Sequence, residues 1–197
     1  MKTANKTASP SWCGTVPSQD AIERASKIQL LLMDVDGVLT DGSVFYVPQD
    51  SGMPFETKGF NCHDGLGFNF LNATGITTGF ITGRESKAVE EYAENKRVRF
   101  LYQGNLDKIP VLNEILANAM LGDADFAYIG DDLTDAPILK RAGLACVVSN
   151  AREEVKKIAH FVTKAKGGEG AVREIVELIL KARGDWPRIL KQYSLGS

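Results

Sequence analysis

The sequence has few cysteines, no excess of positive charge and no long hydrophobic run. Its three cysteines, Cys13, Cys62 and Cys146, are widely spaced, which disfavours both a disulfide framework and a zinc site. A formal net charge of −2 provides no basic field for nucleic acid or an anionic membrane. No apolar run approaches the roughly 18 residues of a membrane span, and Lys2 and Lys6 are not followed by the apolar stretch of a secretion signal. These absences favour a cytoplasmic enzyme that binds neither nucleic acid nor membrane.

The length and composition suit one folded domain. The chain has 197 residues, of which 44% are hydrophobic and 24% charged, enough for a sizeable core. Residues 1–20 are rich in Ser, Thr, Asn and Pro and lack apolar periodicity, which predicts a mobile N-terminal arm. We therefore expect the folded domain at residues 21–182 and a C-terminal tail at residues 183–197.

Short apolar runs alternate with helical patterns along the chain. Strands are predicted at 28–33, 77–81, 99–102, 126–129, 144–148 and 161–162, and helices at 21–26, 66–72, 85–95, 109–120, 134–142 and 153–159. Two more strands, 43–47 and 54–58, flank turn residues and predict a projecting β-hairpin. The alternation predicts an α/β fold with a doubly wound, mostly parallel sheet.

The first buried strand runs directly into two carboxylates, Asp34 and Asp36. Alternate residues of an extended segment face the same way, so both side chains would lie at the carboxyl edge of the sheet, where open α/β sheets bind ligands. Two adjacent carboxylates repel each other unless a cation such as Mg²⁺ lies between them. The alternative is an ordinary turn, because Asp and Gly are common turn residues.

Thr82 follows the second buried strand. With Glu85 three residues later, it is typical of a capping box at a helix start. A hydroxyl and backbone N–H groups at a helix N-terminus also bind anions. Both roles are compatible with the sequence.

Charged residues also follow two later strands. Lys108 directly precedes a predicted helix, where its charge opposes the helix dipole, so we favour a functional role over a solvated surface position. Three acids, Asp131, Asp132 and Asp135, stand within five residues of one another, which is more than a helix cap requires. We therefore include both segments in the candidate site.

These four segments, in this order, resemble the four signatures of the haloacid dehalogenase (HAD) superfamily phosphatases. The resemblance implies that Asp34 is the nucleophile, forming an aspartyl-phosphate, and that Asp36 is the general acid and base. Thr82 and Gly83 would hold the phosphoryl oxygens, and Lys108 would neutralise the nucleophile and the transferring group. Such a pair of carboxylates can split one difficult step into two and supply the protons that each step needs.

The resemblance also implies a magnesium site. Mg²⁺ would be held by Asp34, the backbone carbonyl of Asp36 and Asp131, together with phosphate and water. Asp132 and Asp135 would support these ligands. Oxygen ligands and retained water are what this small, hard ion prefers.

Within the superfamily, the chain is similar to the capless group that contains the 3-deoxy-D-manno-octulosonate (KDO) 8-phosphate phosphatases. A hairpin, one helix and one strand already fill the interval between Asp36 and Thr82, so no cap domain fits there. Segments 61–65, 102–104 and 167–174 carry the similarity. It implies that the preferred substrate is KDO 8-phosphate, a small phosphorylated sugar acid, which is hydrolysed to KDO and phosphate in lipopolysaccharide sugar synthesis. It also implies a homotetramer in which the hairpin and tail of neighbouring subunits complete each site.

The resemblance assigns substrate contacts to Asn61, His63, Asp64, Gly65, Gly83 and Arg84. His63 stands where that group commonly has arginine, and arginines expected near Asn69 and Tyr92 are missing. Because a bidentate carboxylate partner is not easily replaced, a nine-carbon keto-sugar acid 9-phosphate or another small sugar phosphate is the alternative substrate.

Other classes of protein fit less well. A phospho-accepting signalling domain also uses an Asp on a parallel sheet, but it has no use for an acid–base group at Asp36. A dehalogenase needs neither a metal nor that acid. The glycine-rich segment 167–170 could bind phosphate, but it lacks the rest of a dinucleotide-binding motif.

Overall fold

A parallel sheet of six strands forms the centre of the computed structural model, which describes Trp12, residues 14–50, Gly52 and residues 54–195. The strands in chain order are β1 (Leu30–Met33), β2 (Phe45–Val47), β3 (Phe55–Thr57), β4 (Thr77–Ile81), β5 (Phe100–Tyr102), β6 (Phe126–Gly130), β7 (Leu144–Val147) and β8 (Phe161–Val162). The sheet has the spatial order β5-β4-β1-β6-β7-β8, and β2 pairs with β3 as a separate antiparallel hairpin. The predicted α/β fold and the projecting hairpin are confirmed.

Helices flank the sheet. Those of the described residues are α1 (Gln19–Ala25), α2 (Cys62–Thr74), α3 (Lys87–Lys96), α4 (Lys108–Ala119), α5 (Ala136–Leu139), α6 (Glu153–Lys156), α7 (Ala171–Ala182) and α8 (Trp186–Gln192). α7 is the most deeply embedded and packs against α1, α2 and α8. No helix among the described residues is long and apolar enough to cross a membrane.

The sheet register brings the polar residues together. All four residues of β1 are fully buried, as expected for a central parallel strand covered on both faces. Met33, the last residue of β1, pairs with Phe80 of β4 and with Ile129 of β6. Because these strands are parallel and end at the same register, the residues that follow them meet at the carboxyl edge of the sheet.

Two helix starts differ from the sequence-based prediction. α3 begins at Lys87 with Ser86 as its N-cap, so the predicted capping box of Thr82 and Glu85 is wrong. The physical reason is that Thr82 remains tied to the neighbouring segment: its N–H donates to the Tyr102 carbonyl, and its carbonyl accepts from Asn105 N–H. α2 begins at Cys62, a full turn before the predicted start.

The predicted helix at 134–142 is shorter than expected. A 3₁₀ turn spans Leu133–Asp135, and α5 covers only Ala136–Leu139. The carboxylate of Asp135 turns back to accept from the N–H groups of Asp131 and Asp132, which fixes this tight turn. The acids that follow β6 are therefore held close together.

Two short helices, α1 and α8, lie near the ends of the described part of the chain. α1 begins at Gln19, inside the predicted arm, whereas residues 1–11 and Cys13 lie outside the described residues. In the tail, Trp186 of α8 stacks edge-to-face on Phe70 of α2. Of the cysteines that the structure describes, Cys62 is exposed, Cys146 is buried and both are free. The division into arm, domain and tail stays a prediction.

Candidate active site

The candidate site lies at the carboxyl edge of β1, β4 and β6. Asp34 directly follows β1, and its N–H donates to the Ile129 carbonyl of β6 at 3.0 Å. Thr82 directly follows β4, and Asp131 directly follows β6. The segment after β1, residues 34–42, is called the β1 loop below. Three of the predicted site segments thus meet where the sequence placed them.

Lys108 provides a buried positive charge in this cluster. As the first residue of α4, it reaches Asp34 Oδ2 with its Nζ at 2.8 Å and Asp135 Oδ1 at 2.7 Å, and only 3% of it is exposed. Burial opposes its charge, but these two carboxylates outweigh burial and raise the pKa of Lys108. The fourth predicted segment is therefore brought to the other three, with its ammonium group charged.

Asp135 is a hydrogen-bonding hub. Its Oδ1 accepts from Lys108 Nζ and from the Tyr128 hydroxyl at 2.7 Å, and its Oδ2 accepts from the N–H groups of Asp131 at 2.9 Å and Asp132 at 3.3 Å. The Tyr128 hydroxyl also lies 3.1 Å from Lys108 Nζ. Sequence analysis missed Tyr128, because a tyrosine inside a buried strand is indistinguishable from an ordinary core residue.

Asp34, Asp131 and Asp135 could together hold a metal ion, since an oxygen of each lies within 4.8 Å of the others. Each oxygen of Asp135 already accepts two hydrogen bonds, whereas each oxygen of Asp34 faces one donor, Val35 N–H or Lys108 Nζ. This leaves Asp34 and Asp131 as the better ligands. Burial raises the pKa of Asp34 to about 6, although Lys108 lowers it. Burial also raises the pKa of Asp131 to about 7, and the charges of Asp135 and Asp34 add to the shift. Two neighbouring carboxylates whose pKa values are raised in this way are typical of a site that binds a cation.

Gly37 allows Asp131 to approach the β1 loop. Its φ of +88° lies in the left-handed region, and a Cβ at this position would come within 2.3 Å of Asp131 Oδ2. A side chain here would therefore displace one of the two preferred metal ligands.

Asp36 is paired with a lysine from the hairpin. Lys58, which follows β3, contacts Asp36 Oδ1 with its Nζ, and its side chain is completely buried. Glu56 lies beside this pair, with its Oε1 at 3.8 Å from Lys58 Nζ. The guanidinium of Arg84 contacts both acids: its Nε lies 3.8 Å from Asp36 Oδ2, and its Nη2 lies 3.1 Å from Glu56 Oε2. Sequence analysis missed Lys58 and Glu56, although their alternation on a strand beside the site was a usable signal.

Thr82 and Gly83 form a tight turn beside this network. Thr82 is buried, and its Oγ1 accepts from Arg84 N–H at 3.4 Å. A Cβ on Gly83 would come within 2.8 Å of the Leu106 side chain. The turn therefore presents backbone groups at the end of β4.

Asp132 caps the 3₁₀ turn that follows it, since its Oδ1 accepts from Leu133 N–H.

The side chains and glycine of segment 61–65 serve mainly to cap and pack α2 within the protein. Asn61 caps α2 by accepting from His63 N–H and Asp64 N–H, and its Nδ2 donates to the Gly168 carbonyl at 3.3 Å. Asp64 is buried, whereas His63 is exposed. Gly65 lies against α3, where a Cβ would meet the Lys96 side chain. Substrate binding by these four residues stays a prediction.

Comparison with known proteins gives consistent results. A family model described as haloacid dehalogenase-like hydrolase matches residues 94–175. The 3-deoxy-D-manno-octulosonate 8-phosphate phosphatase KdsC of Yersinia pestis is 42% identical over 166 residues, which cover 84% of this chain and 87% of that protein.

Two solved structures are similar over nearly their whole length. A protein from Pseudomonas syringae pv. phaseolica 1448a, described as a probable yrbI family phosphatase, is 44% identical with a TM-score of 0.85, covering 91% of this chain and 100% of that one. The KDO 8-phosphate phosphatase of Moraxella catarrhalis, solved with magnesium, phosphate and KDO, is 36% identical with a TM-score of 0.83, covering 88% and 98%.

The fold and the arrangement of the four strand-end segments define a haloacid dehalogenase-like hydrolase, specifically a phosphoric monoester hydrolase without a cap domain. Within that class, the chain belongs to the family of the 3-deoxy-D-manno-octulosonate 8-phosphate phosphatases. The resemblance seen in the sequence is thereby confirmed.

Proposed function

We propose that this protein hydrolyses KDO 8-phosphate to KDO and phosphate through a phosphorylated Asp34, in lipopolysaccharide sugar synthesis. The observation that carries the proposal is the placement of Lys108 Nζ at 2.8 Å from Asp34, at the edge where Asp36 and Asp131 also lie. Relatives named as KDO 8-phosphate phosphatases, at 36–42% identity over most of the chain, support the substrate.

The chain's own residues account for both chemical steps. A carboxylate oxygen of Asp34 attacks phosphorus, the bond from phosphorus to the sugar oxygen breaks, and Asp36 gives its proton to that oxygen. Asp36 then takes a proton from water, the water oxygen attacks the phosphoryl group, and phosphate leaves as Asp34 is regenerated. Lys108 stabilises the negative charge that both transition states carry near Asp34.

The phosphoryl oxygens need donors on the other side of the site. We assign these to the Thr82 hydroxyl and the backbone N–H of Gly83, at the end of β4. Arg84, whose side chain is about half exposed and whose guanidinium already faces Asp36 and Glu56, would reach the substrate. An arginine in this position suits the anionic groups of a phosphorylated sugar acid.

We assign Mg²⁺ to Asp34, Asp131 and the backbone carbonyl of Asp36. The raised pKa of Asp34 and of Asp131 supports this assignment, because burial and the negative charge of Asp135 disfavour both carboxylates when no cation is bound, even with Lys108 beside Asp34. When bound, the ion neutralises charge on the transferring phosphoryl group and on Asp34. Asp132 and Asp135 act by holding the turn that carries Asp131.

We propose that the protein assembles into a homotetramer and acts in the cytoplasm, and the exposed hairpin supports the assembly. Its apolar side chains are unusually exposed for a monomer: Phe45 57%, Tyr46 59%, Val47 49% and Phe55 45%. A contiguous exposed apolar patch is typical of an interaction surface. We infer that neighbouring hairpins cover one another and help to close each site, and sedimentation of the purified protein tests this assembly directly.

The substrate is tested by measuring phosphate release. The experiment measures kcat/KM, with Mg²⁺ and with chelator, for KDO 8-phosphate, for nine-carbon keto-sugar acid 9-phosphates and for simple sugar phosphates. The inactive control is Asp34→Asn. The proposal expects a clear preference for KDO 8-phosphate that depends on Mg²⁺. Preference for a nine-carbon acid, which His63 in place of arginine makes the second candidate, would contradict the substrate but not the chemistry. A stable phosphoprotein without turnover would indicate a signalling domain instead.

A further inference from the structure

Asp64 is a buried carboxylate outside the Asp34 cluster. It is fully buried near the start of α2, and its Oδ1 accepts from the Arg173 N–H at 2.7 Å. Its Oδ2 has no hydrogen-bond partner among the described residues. Burial raises the pKa of Asp64 to about 6, and the backbone N–H groups of Arg173 and Gly170 lower it by less, so this is a costly position for a carboxylate. Such a cost indicates a specific role.

The N-terminus of α7 depends on Asp64. Gly170 occupies the N-cap position with a φ of +101° and has no side chain with which to cap the helix. Arg173 is the third residue of α7, whose N–H a cap side chain usually engages. Asp64 supplies the missing acceptor from another helix, 109 positions away in sequence. Its negative charge also suits the positive end of the helix dipole.

The glycine segment (residues 167–170) joins this helix end to the β1 loop. Gly168 N–H donates to the Val38 carbonyl at 3.0 Å, and a Cβ on Gly167 would come within 1.7 Å of the Gly37 carbonyl oxygen. Asn61, the N-cap of α2, donates to the Gly168 carbonyl from the other side. The glycine segment is therefore packed backbone to backbone between the start of α2 and the loop that carries Asp34 and Asp36.

We propose that Asp64 is a positioning residue that clamps the glycine segment against the β1 loop and thereby sets the orientation of Asp34 and Asp36. The inference rests on the proposed phosphatase function. Asn61 assists from the same helix start. This role differs from the direct substrate contact that resemblance assigns to Asp64, and the two roles predict different kinetic effects.

The test compares three substitutions. Asp64→Ala removes the acceptor, whereas Asp64→Asn keeps an oxygen that can accept from Arg173 N–H. Ser18→Ala is the matched control, since it removes the N-cap acceptor of α1, whose side chain accepts from Ala21 N–H. For each variant, kcat and KM are measured with p-nitrophenyl phosphate and with KDO 8-phosphate, and hydrogen exchange is measured for the peptide 164–172.

We expect Asp64→Ala to lower kcat about ten- to a hundredfold with both substrates, because a small displacement of reacting groups has effects of this size. KM for KDO 8-phosphate should change less than threefold, and exchange in 164–172 should become faster. Asp64→Asn should recover most of kcat, and Ser18→Ala should leave kcat unchanged. If Asp64→Ala does not fold, Asn61→Ala should give the same faster exchange and lowered kcat.

Three results would overturn the inference. One is a tenfold rise in KM for KDO 8-phosphate in Asp64→Asn with kcat for p-nitrophenyl phosphate unchanged, which indicates substrate contact. The second is unchanged exchange in Asp64→Ala. The third is an equal loss of kcat in Ser18→Ala, which indicates a general stability effect. An inactive wild type would instead contradict the proposed function, and the exchange comparison would still test the clamp.

Discussion

Lys58 Nζ contacts Asp36 Oδ1, and the side chain of this lysine is completely buried although it comes from a projecting hairpin. The contact joins the proposed acid–base group to the element that we assign to subunit assembly. Burying an ammonium group is costly unless it is paired, so Lys58 and Asp36 hold each other in place. The hairpin therefore orients Asp36.

Replacing Lys58 by methionine should impair the step in which the leaving group is protonated. Lys58→Met preserves the shape of the side chain and removes its charge. We expect kcat/KM for an alkyl phosphate to fall at least about tenfold, and less for p-nitrophenyl phosphate, whose leaving group needs no proton. Lys27→Met, at an exposed lysine before β1, is the control. Equal losses with both substrates would mean that Lys58 does not act through Asp36.

The Tyr128 hydroxyl should contribute to catalysis through Lys108. Tyr128→Phe removes a buried group that lies 3.1 Å from Lys108 Nζ and donates to Asp135 at 2.7 Å. A hydrogen bond to a charged group contributes about 1.5–3 kcal/mol, so we expect a lower melting temperature and a kcat reduced about tenfold. Tyr102→Phe, which loses a hydroxyl bonded to Glu114, is the matched control and should keep its kcat. An unchanged kcat in Tyr128→Phe would show that Lys108 does not need this contact.

The metal site should make stability depend on pH. Without metal, the pKa of Asp34 and of Asp131 is raised to about 6 and about 7, above the ordinary value of 3.8 in the unfolded chain. The folded state then binds more protons than the unfolded state, so the unfolding free energy should fall as pH rises from about 4 to 7. Because Mg²⁺ replaces those protons, its stabilising effect should be larger at pH 8 than at pH 5.5.

Thermal unfolding with Mg²⁺ and with chelator at both pH values measures this effect. Asp131→Asn should remove most of the Mg²⁺-induced shift in melting temperature. An equal shift at both pH values, or a full shift in Asp131→Asn, would place the metal elsewhere.

Gly37 should tolerate no side chain. Gly37→Ala adds a Cβ that would lie within 2.3 Å of Asp131 Oδ2, at a φ of +88°. Gly52→Ala is a matched control, because Gly52 has a φ of +82° and nothing within 4 Å of the added Cβ. Both variants should lose about 1–2 kcal/mol of unfolding free energy from backbone strain. Only Gly37→Ala should also lose Mg²⁺ affinity and activity, and similar activities in the two variants would contradict this.

The sequence predicted those parts of the site that depend on local pattern. Asp34, Lys108 and Asp131 each stand beside a strand or helix end, and a parallel sheet brings such ends together whatever the details of packing. The contact between Lys58 and Asp36 depends on how a hairpin folds back, and that of Asp64 with Arg173 joins positions 109 residues apart. Alternation on the hairpin strand marks Lys58 as a candidate residue, but neither contact partner follows from the periodicity or spacing of the sequence.

The central claim is that Asp34 carries the phosphoryl group. The direct test uses Asp36→Asn with p-nitrophenyl phosphate, because phosphorylation needs little acid help with this substrate while hydrolysis of the intermediate still needs a base. Rapid acid quenching followed by peptide mass analysis should find one added phosphoryl group on the peptide that contains Asp34, and none in the Asp34→Asn, Asp36→Asn double variant. Continued phosphate release by Asp34→Asn, or an adduct on another residue, would contradict the account.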